Sequence, residues 1–384
     1  MENTENKSTA YYYRLDIYRL IFTIFVVTIH FETFYRTLPS IYHLSRGLYR
    51  SVDFFFLLSG FLLYKSFCSN RYKNALAFTF AKAKRLLPIN FVVVIFTCFF
   101  VGFDPGKGIS GFFSVIIAFV RNIISAIPNF LFLQEFIPVF EHFCVGDYFA
   151  PLWYISAMLV SGFIWFCFLA ASQKNHGDSC RVSGWALVLP LLIMSYLLSI
   201  CGQLNISQGF VPGLNLPLGF LRSLADMGLG VFFANFSINI SNKKITAVLK
   251  VLLPLLLFVL ACYAAQTTFD FIFVIFCCFV LMFEFSIEGE PSKLVQKICR
   301  FAGKVSIPIY FSHAFVIIFV YTPIVQKFTL LENNWMLALI VRTVLVILAS
   351  VAAYLLSKPA KIMLDRFFGC FTSESEKTAE NSAD

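Results

Sequence analysis

Long apolar runs alternate along this chain with short polar segments, and each run is close to the roughly 20 residues that a helix needs to cross a hydrocarbon layer about 30 Å thick. Bounded by charge, Gly or Pro, the runs are 17–35, 52–68, 86–103, 112–133, 151–171, 184–201, 218–236, 247–265, 270–286, 305–322 and 336–356. The run 112–133 is broken by Arg121, Asn122, Pro128 and Asn129. It reads as a re-entrant or interfacial helix in an external loop, entered from 86–103 and left through 151–171. Ten membrane spans remain, and the fold class expected is an all-α polytopic helix bundle.

Composition sharpens this. Of 384 residues, 59% are hydrophobic and only 13% charged, and mean hydropathy is +0.79. Soluble proteins sit near 45–50% apolar and about 25% charged. The 49 Phe and 16 Tyr would overfill one water-soluble core of this size. Disordered, collagen-like, coiled-coil and disulfide-scaffold classes are excluded.

The net charge of +9 could point to nucleic acid, but the cations lie in short loops between apolar runs. With the N-terminus inside, about two-thirds of the basic residues fall in segments that ten spans place in the cytoplasm, as the positive-inside rule requires. Both termini are then cytoplasmic. Residues 1–16 form an N-terminal segment, 17–356 the membrane domain, and 357–384 a cytoplasmic tail that is partly disordered from Thr372 onward. The first span contains Arg19 and His30 and lacks a small-residue exit, so it is read as retained and not as a cleaved signal. Of the 11 Cys, Cys98, Cys167, Cys201, Cys262, Cys277 and Cys278 lie in apolar runs. No CxxC or His/Cys spacing marks a metal site, so no metal is expected and these are read as inert buried thiols.

Ionisable side chains inside spans are costly, which makes them candidates for function. Arg19 and His30 are eleven residues apart, about 20° past three full helical turns and about 16 Å along the axis. They share a face. Arg19 could instead snorkel to the cytoplasmic interface and pair with Asp16, leaving His30 as a satisfied polar residue. Asp53 opens the second span. At a depth similar to His30, it could fix the imidazole tautomer and raise the basicity of the other nitrogen, as a general base for a hydroxyl requires. It could also cap its own helix. The loop after that span ends Lys82-Ala83-Lys84-Arg85-Leu86-Leu87-Pro88, a topology signal or, beside Arg19, a phosphate site. Phosphates of coenzyme A held there would let its pantetheine arm span the distance to His30.

These residues resemble the acyltransferase 3 family of multi-span O-acyltransferases. Arg14-Leu15-Asp16-Ile17-Tyr18-Arg19 with His30 is similar to the family's R-LDGLRG…H opening, Ser51–Phe61 (SVDFFFLLSGF) to its VDLFFVLSGFL, and Arg85-Leu86-Leu87-Pro88 to its RRxxRLLP. Pro151-Leu152-Trp153-Tyr154 resembles PLWFL, and Ser306–His313 resembles SYxIYLxH. The resemblance implies transfer of an acyl group, usually acetyl from acetyl-CoA, from the cytoplasm to a hydroxyl of a cell-surface or exported carbohydrate, in the bacterial inner membrane if the source is prokaryotic. His30 falls on the family's catalytic histidine, Arg19 on its essential arginine and Arg85 on the basic donor motif, with Lys82 and Lys84 beside it. Trp153, Arg222 and His313 also match family positions and are taken as candidates for substrate binding. Ile17 and Tyr18 depart from LDGLRG, and Met158 stands where many members carry Glu, which resembles the WFL-type branch, some of whose members use succinyl or other donors.

A secondary transporter or flippase for a lipid-linked sugar shares the composition, but it predicts broken helices around a midplane site, whereas here the charges gather on the first two spans. A non-catalytic scaffold would not need Arg19, His30 and Asp53 to share a cavity. Acceptor selection is expected in the external loop 104–150, with Glu135, Glu141, His142 and Asp147.

Overall fold

A computed structural model describes residues 11–35, 47–101, 108–136, 152–176, 182–204, 209–263, 267–287, 291–328 and 330–380. Every long element among them is helical: α1 (Tyr13–Tyr35), α2 (Ser51–Cys68), α3 (Ala75–Val101), α4 (Gly108–Ser125), α5 (Trp153–His176), α6 (Trp185–Cys201), α7 (Leu218–Phe233), α8 (Lys243–Cys262), α9 (Thr267–Ser286), α10 (Lys293–Phe315) and α11 (Trp335–Glu380). They match the eleven apolar runs one for one.

Seven segments are long and apolar enough to cross a membrane, namely Leu48–Cys68, Ala75–Val101, Trp153–Gln173, Lys243–Cys262, Phe269–Ser286, Lys293–Lys327 and Trp335–Phe368. The ten-span expectation is therefore met at seven places. The runs 17–35, 184–201 and 218–236 appear as the helices α1, α6 and α7, of which α6 has 17 residues and α7 only 16.

Local chemistry explains several boundaries. Asn242 caps α8 by accepting from the N–H groups of Lys244 (2.9 Å) and Ile245 (3.3 Å), which satisfies donors the first helical turn leaves open. Gly202, at φ +66°, closes α6 in the left-handed conformation that glycine adopts at little cost. Three boundaries differ from expectation, one of them the start of α10 at Lys293, well before the apolar run 305–322. The basic stretch Lys82–Arg85 is part of α3, which starts at Ala75, because ALAFTFAKAKRLL consists mainly of good helix formers and so continues the helix beyond the apolar run. α11 runs on to Glu380, so its bounds take in much of the expected disordered tail.

The chain divides into two compact units. The first comprises Met1–Thr79 with Tyr154–Ile307, and the second Phe80–Trp153 with Pro308–Asp384. The boundary within α10 falls at Pro308, which lies inside the helix and removes a backbone hydrogen bond there.

In the first unit, α7 is the central helix. Buried residues lie on all its faces, from Leu218 through Arg222 and Asp226 to Val231. It crosses α2 at a pair of glycines. A Cβ added to Gly60 would stand 2.2 Å from Met227 O, and one on Gly230 would stand 2.3 Å from Leu57 O. Both obstacles are backbone, so only Gly permits this approach, the device that lets helices pack closely in lipid. On another face, Gly228 leaves room for Trp165 of α5 and Pro190 of α6, the Trp165 indole donates to Leu224 O (2.8 Å), and Ser223 donates to Ser161 (2.7 Å). By contrast, α8 is a peripheral helix. Only 11% of its span is buried, against 56% for α2, and Val248, Val251, Leu255 and Val259 are exposed, as befits a lipid-facing surface.

In the second unit, the interrupted run 112–133 is α4 followed by a short turn, Ile127–Phe130. The polar residues that break its hydropathy make the attachment to α3: Asn122 donates to Cys98 O (3.0 Å) and Asn90 donates to Asn129 O (2.9 Å). Ser312 of α10 and Ser350 of α11 hydrogen-bond at 3.0 Å.

The glycine crossing generates a prediction. Gly60→Val or Gly230→Val should destabilise the protein by about 1–3 kcal/mol or more, the cost of overpacking a close contact. Gly184→Ala, where an added Cβ meets nothing within 4 Å, should be neutral. Thermal unfolding in detergent checks the contrast, and equal melting temperatures for all three variants would contradict it.

Candidate functional site

The first unit carries its charges at two levels. At the level where α1 begins, Arg14 makes a two-pronged ion pair with Glu284 of α9, Nε to Oε2 at 2.7 Å and Nη2 to Oε1 at 2.9 Å. Tyr18 donates to the same carboxylate at 2.8 Å, and Arg14 Nη2 donates to Lys250 O of α8 at 2.6 Å. One helical step away, Asp16 is 2% exposed, accepts from Arg19 Nη1 at 2.8 Å and from the Tyr11 hydroxyl. Burial and then the bond to Asp16 push the Tyr11 hydroxyl up to about 12, so it stays a donor. A Cβ on Gly303 of α10 would come within 2.6 Å of the Asp16 carboxyl group, and Arg300 donates to the Tyr13 hydroxyl at 2.9 Å. Helices α1, α8, α9 and α10 are thus held together by one polar layer.

At the second level, Arg222 of α7 and Asp53 of α2 form a buried pair, with Arg222 Nε and Nη2 each 2.6 Å from Asp53 Oδ1. Beside it, Arg50 is fully buried and donates to Asp270 Oδ1 of α9 (2.8 Å), to Leu260 O (2.9 Å) and to Tyr263 O (2.8 Å). The Tyr49 hydroxyl donates to Asp270 as well. Asp226, 1% exposed, borders the same small cavity as Asp53 and Arg222.

Along α1 runs a stripe made of Arg19, Thr23, Val26 and His30, spaced four, three and four residues apart and so aligned on one face. Thr23 and Val26 are buried, while Arg19 and His30 keep partial exposure. The His30 Nδ1 lies 2.7 Å from Val26 O. A carbonyl oxygen only accepts, so Nδ1 carries the hydrogen and the neutral ring has its basic lone pair on Nε2. Tyr154 of α5 lies against Phe56 of α2, ring centroids 4.6 Å apart, and Ser59 of α2 donates to Phe55 O at 2.7 Å.

Two expectations need correction. Asp53 does not sit at the depth of His30. The Phe54 ring stacks on Phe22 at 4.0 Å, and His30 is eight residues, about 12 Å, further along α1. The 3-10 turn Leu48–Arg50, which precedes α2, packs beside α1. The acceptor that orients His30 is accordingly the Val26 carbonyl, and Asp53 is bound by Arg222. Asp53 makes no cap either: the helix-capping position of α2 is Arg50, without a side-chain cap hydrogen bond.

Of the donor-site candidates, Lys82, Lys84 and Arg85 lie on α3 in the second unit, with Lys84 and Arg85 exposed and Lys82 half-buried. Lys84 pairs with Asp365 at 3.2 Å, both roughly half exposed, which contributes little stability. Trp153 opens α5 half-buried. His313, fully buried, is bonded through Nδ1 to Tyr310 O at 2.5 Å and lies three residues before the π-helical turn Val316–Tyr321. Of the loop candidates, Glu141, His142 and Asp147 lie outside the described residues, whereas burial pushes the Glu135 carboxyl up to about 8. The thiols at Cys98, Cys167, Cys201, Cys262, Cys277 and Cys278 are free, and no cluster of metal-ligating groups occurs among the described residues.

Sequence reasoning passed over Arg50, Asp226, Asp270 and Glu284. The signal for them was present, since Asp226, Asp270 and Glu284 are carboxylates within apolar runs, but the partners of Asp270 and Glu284 lie 220 and 270 positions away.

A family model described as an acyltransferase domain matches residues 12–355, which takes in every helix described above from α1 through most of the apolar part of α11. The chain belongs to the acyltransferase 3 family. It is thus a multi-pass membrane acyltransferase by family, and its helices are the family's catalytic domain. Neither the curated proteins nor the solved structures contain a match to it.

The second-level ion pair generates a prediction for this acyltransferase. Arg222→Gln strands Asp53 in an apolar surround and should cost about 3–5 kcal/mol. Asp53→Asn combined with Arg222→Gln should cost clearly less than the two single substitutions added together, because the two sites share one interaction. Unfolding of the four proteins in a double-mutant cycle gives the coupling, and strict additivity would contradict the pairing.

Proposed function

We propose that this protein is an O-acyltransferase that moves an acyl group, acetyl in the simplest case, from cytoplasmic acyl-CoA to a hydroxyl of a cell-surface or exported carbohydrate. In this reading ten helices span the cell membrane, with both termini in the cytoplasm. The observation that carries it is the α1 stripe: a guanidinium at Arg19 and, three turns on, an imidazole at His30 whose Nδ1–H is held by Val26 O at 2.7 Å. Nε2 is then the nitrogen that can take a proton. The sugar hydroxyl oxygen attacks the thioester carbonyl carbon while Nε2 accepts the hydroxyl proton. The C–S bond breaks as the tetrahedral centre collapses, and the imidazolium returns the proton to the departing coenzyme A sulfur. Ester and free thiol are the products, and the protein ends in its starting state.

Arg19 supports the reaction electrostatically. Asp16 compensates its charge without consuming all its donors. Lys82, Lys84 and Arg85 suit the phosphates of the donor, since cations form charge-assisted bonds to phosphate oxygens. Trp153, Arg222 and His313 are assigned to the acceptor side, Arg222 indirectly because its guanidinium is engaged by Asp53. Membership of an acyltransferase family favours transfer over transport.

A general base typically contributes about 10²- to 10⁴-fold to rate, so His30→Ala should slow acyl transfer by that factor while leaving the protein folded. The checks are release of the coenzyme A thiol by purified protein and mass spectrometry of surface glycans, where the variant should lack the acyl increment seen with wild type. An unchanged rate would eliminate His30 as the base. Arg85→Ala should weaken acetyl-CoA binding in calorimetry, and equal affinity would remove Arg85 from the donor site.

A further inference from the structure

Helix α10 begins at Lys293, about 18 Å of helix before the apolar run 305–322. That run alone is nearly long enough to cross the hydrocarbon, so the preceding stretch KLVQKICRFAGK (293–304) is in excess of what a span requires. It contains four cations and no carboxylate. At about 100° per residue its side chains sort into three stripes, each about 60° wide. Cys299, Ala302 and Ser306 form the first and are 2–4% exposed. Leu294, Ile298 and Phe301 form the second, and these large apolar side chains are 69%, 52% and 65% exposed. Lys293, Lys297, Arg300 and Lys304 form the third, all of them exposed.

The rotation of this stretch about its axis is fixed. Arg300 donates to the Tyr13 hydroxyl at 2.9 Å, and its guanidinium lies 5.5 Å and 5.4 Å from the ring centres of Tyr11 and Tyr13. Gly303 faces the Asp16 carboxyl group, which an added Cβ would approach to 2.6 Å. With one side held against the start of α1, the apolar stripe and the lysines are turned outward together. Lys293, Lys297 and Lys304 form no ion pair with a carboxylate among the described residues.

Neither water nor hydrocarbon suits such a surface. In water, three neighbouring large apolar side chains would stand unburied, and within the acyl chains the cations would be costly. A membrane interface meets both demands, because the apolar stripe enters the acyl boundary while the neighbouring lysines reach the headgroups. A stripe of cations without protein counter-charge favours headgroups that carry net negative charge.

We infer that Lys293–Lys304 is an interfacial helix that binds anionic phospholipid, with Leu294, Ile298 and Phe301 in the acyl boundary and Lys293, Lys297 and Lys304 on the headgroup phosphates. Its inner side carries the Asp16 contact, so a lipid surface supports the helix beside the carboxylate that pairs with Arg19. The inference goes beyond the proposed reaction and does not depend on it.

Tryptophan quenching in nanodiscs tests it, with full-length Phe301→Trp in phosphatidylcholine that contains a fixed fraction of either brominated phosphatidylglycerol or brominated phosphatidylcholine. Emission lost in excess of the wild-type loss reports the lipid beside position 301. Both brominated lipids should quench, and phosphatidylglycerol several-fold more strongly, since each lysine near an anionic surface is worth about a fivefold preference. Adding Lys293→Gln, Lys297→Gln and Lys304→Gln together should leave the melting temperature and the quenching by phosphatidylcholine unchanged and abolish the preference. Lys297→Gln alone should reduce the preference in part, which keeps the test decisive if the triple variant does not fold. No quenching beyond wild type by either lipid would overturn the inference by showing the apolar stripe outside the bilayer. Equal quenching by the two lipids, or a preference that survives removal of the lysines, would overturn it as well.

Discussion

A charge placed inside a helix bundle that is surrounded by lipid must find its opposite on another helix, because no water is there to solvate it. This requirement organises the first unit of the protein. Arg14 reaches Glu284 at one level, Arg222 reaches Asp53 and Arg50 reaches Asp270 at the other. Each pair joins helices far apart in sequence, so the charges act as register marks for packing that apolar side chains alone leave loosely specified. Breaking a pair is costly, and the cost is what fixes α1, α2, α7 and α9 against one another.

The glycine crossing of α2 and α7 belongs to the same logic. Because Gly60 and Gly230 let the two backbones meet, the short side chain of Asp53 can reach Arg222 inside the bundle. With bulkier residues at the crossing the helices would separate and the ion pair would open. Packing and electrostatics are therefore one constraint, and the helix at its centre, α7, is also among the shortest.

The apolar runs made the helices legible, and each of the eleven overlaps a helix, although α3, α10 and α11 extend well beyond their runs. What periodicity could not supply was depth and partnership. Phe54, the neighbour of Asp53, stacks on Phe22, eight residues before His30 on α1, and no local pattern announces such an offset. Glu284 and Asp226 could have been singled out as carboxylates within spans, but their partners depend on the tertiary arrangement. His30 and Arg19 were legible because their relation is internal to a single helix, where spacing translates directly into geometry. The orienting acceptor of His30 is local for the same reason: a carbonyl four residues back, present in any helix.

The account of function rests on α1 as a rod with a guanidinium at one level and a tautomer-locked imidazole at another, serving the proposed transfer between two sides of a membrane. The most direct test uses purified protein in sealed vesicles, with labelled acetyl-CoA inside and surface glycan stripped of its esters by mild alkali outside. The account predicts label on the outer glycan together with free thiol in the lumen. Intact acetyl-CoA and unlabelled glycan, from protein shown to be folded and correctly inserted, would contradict it.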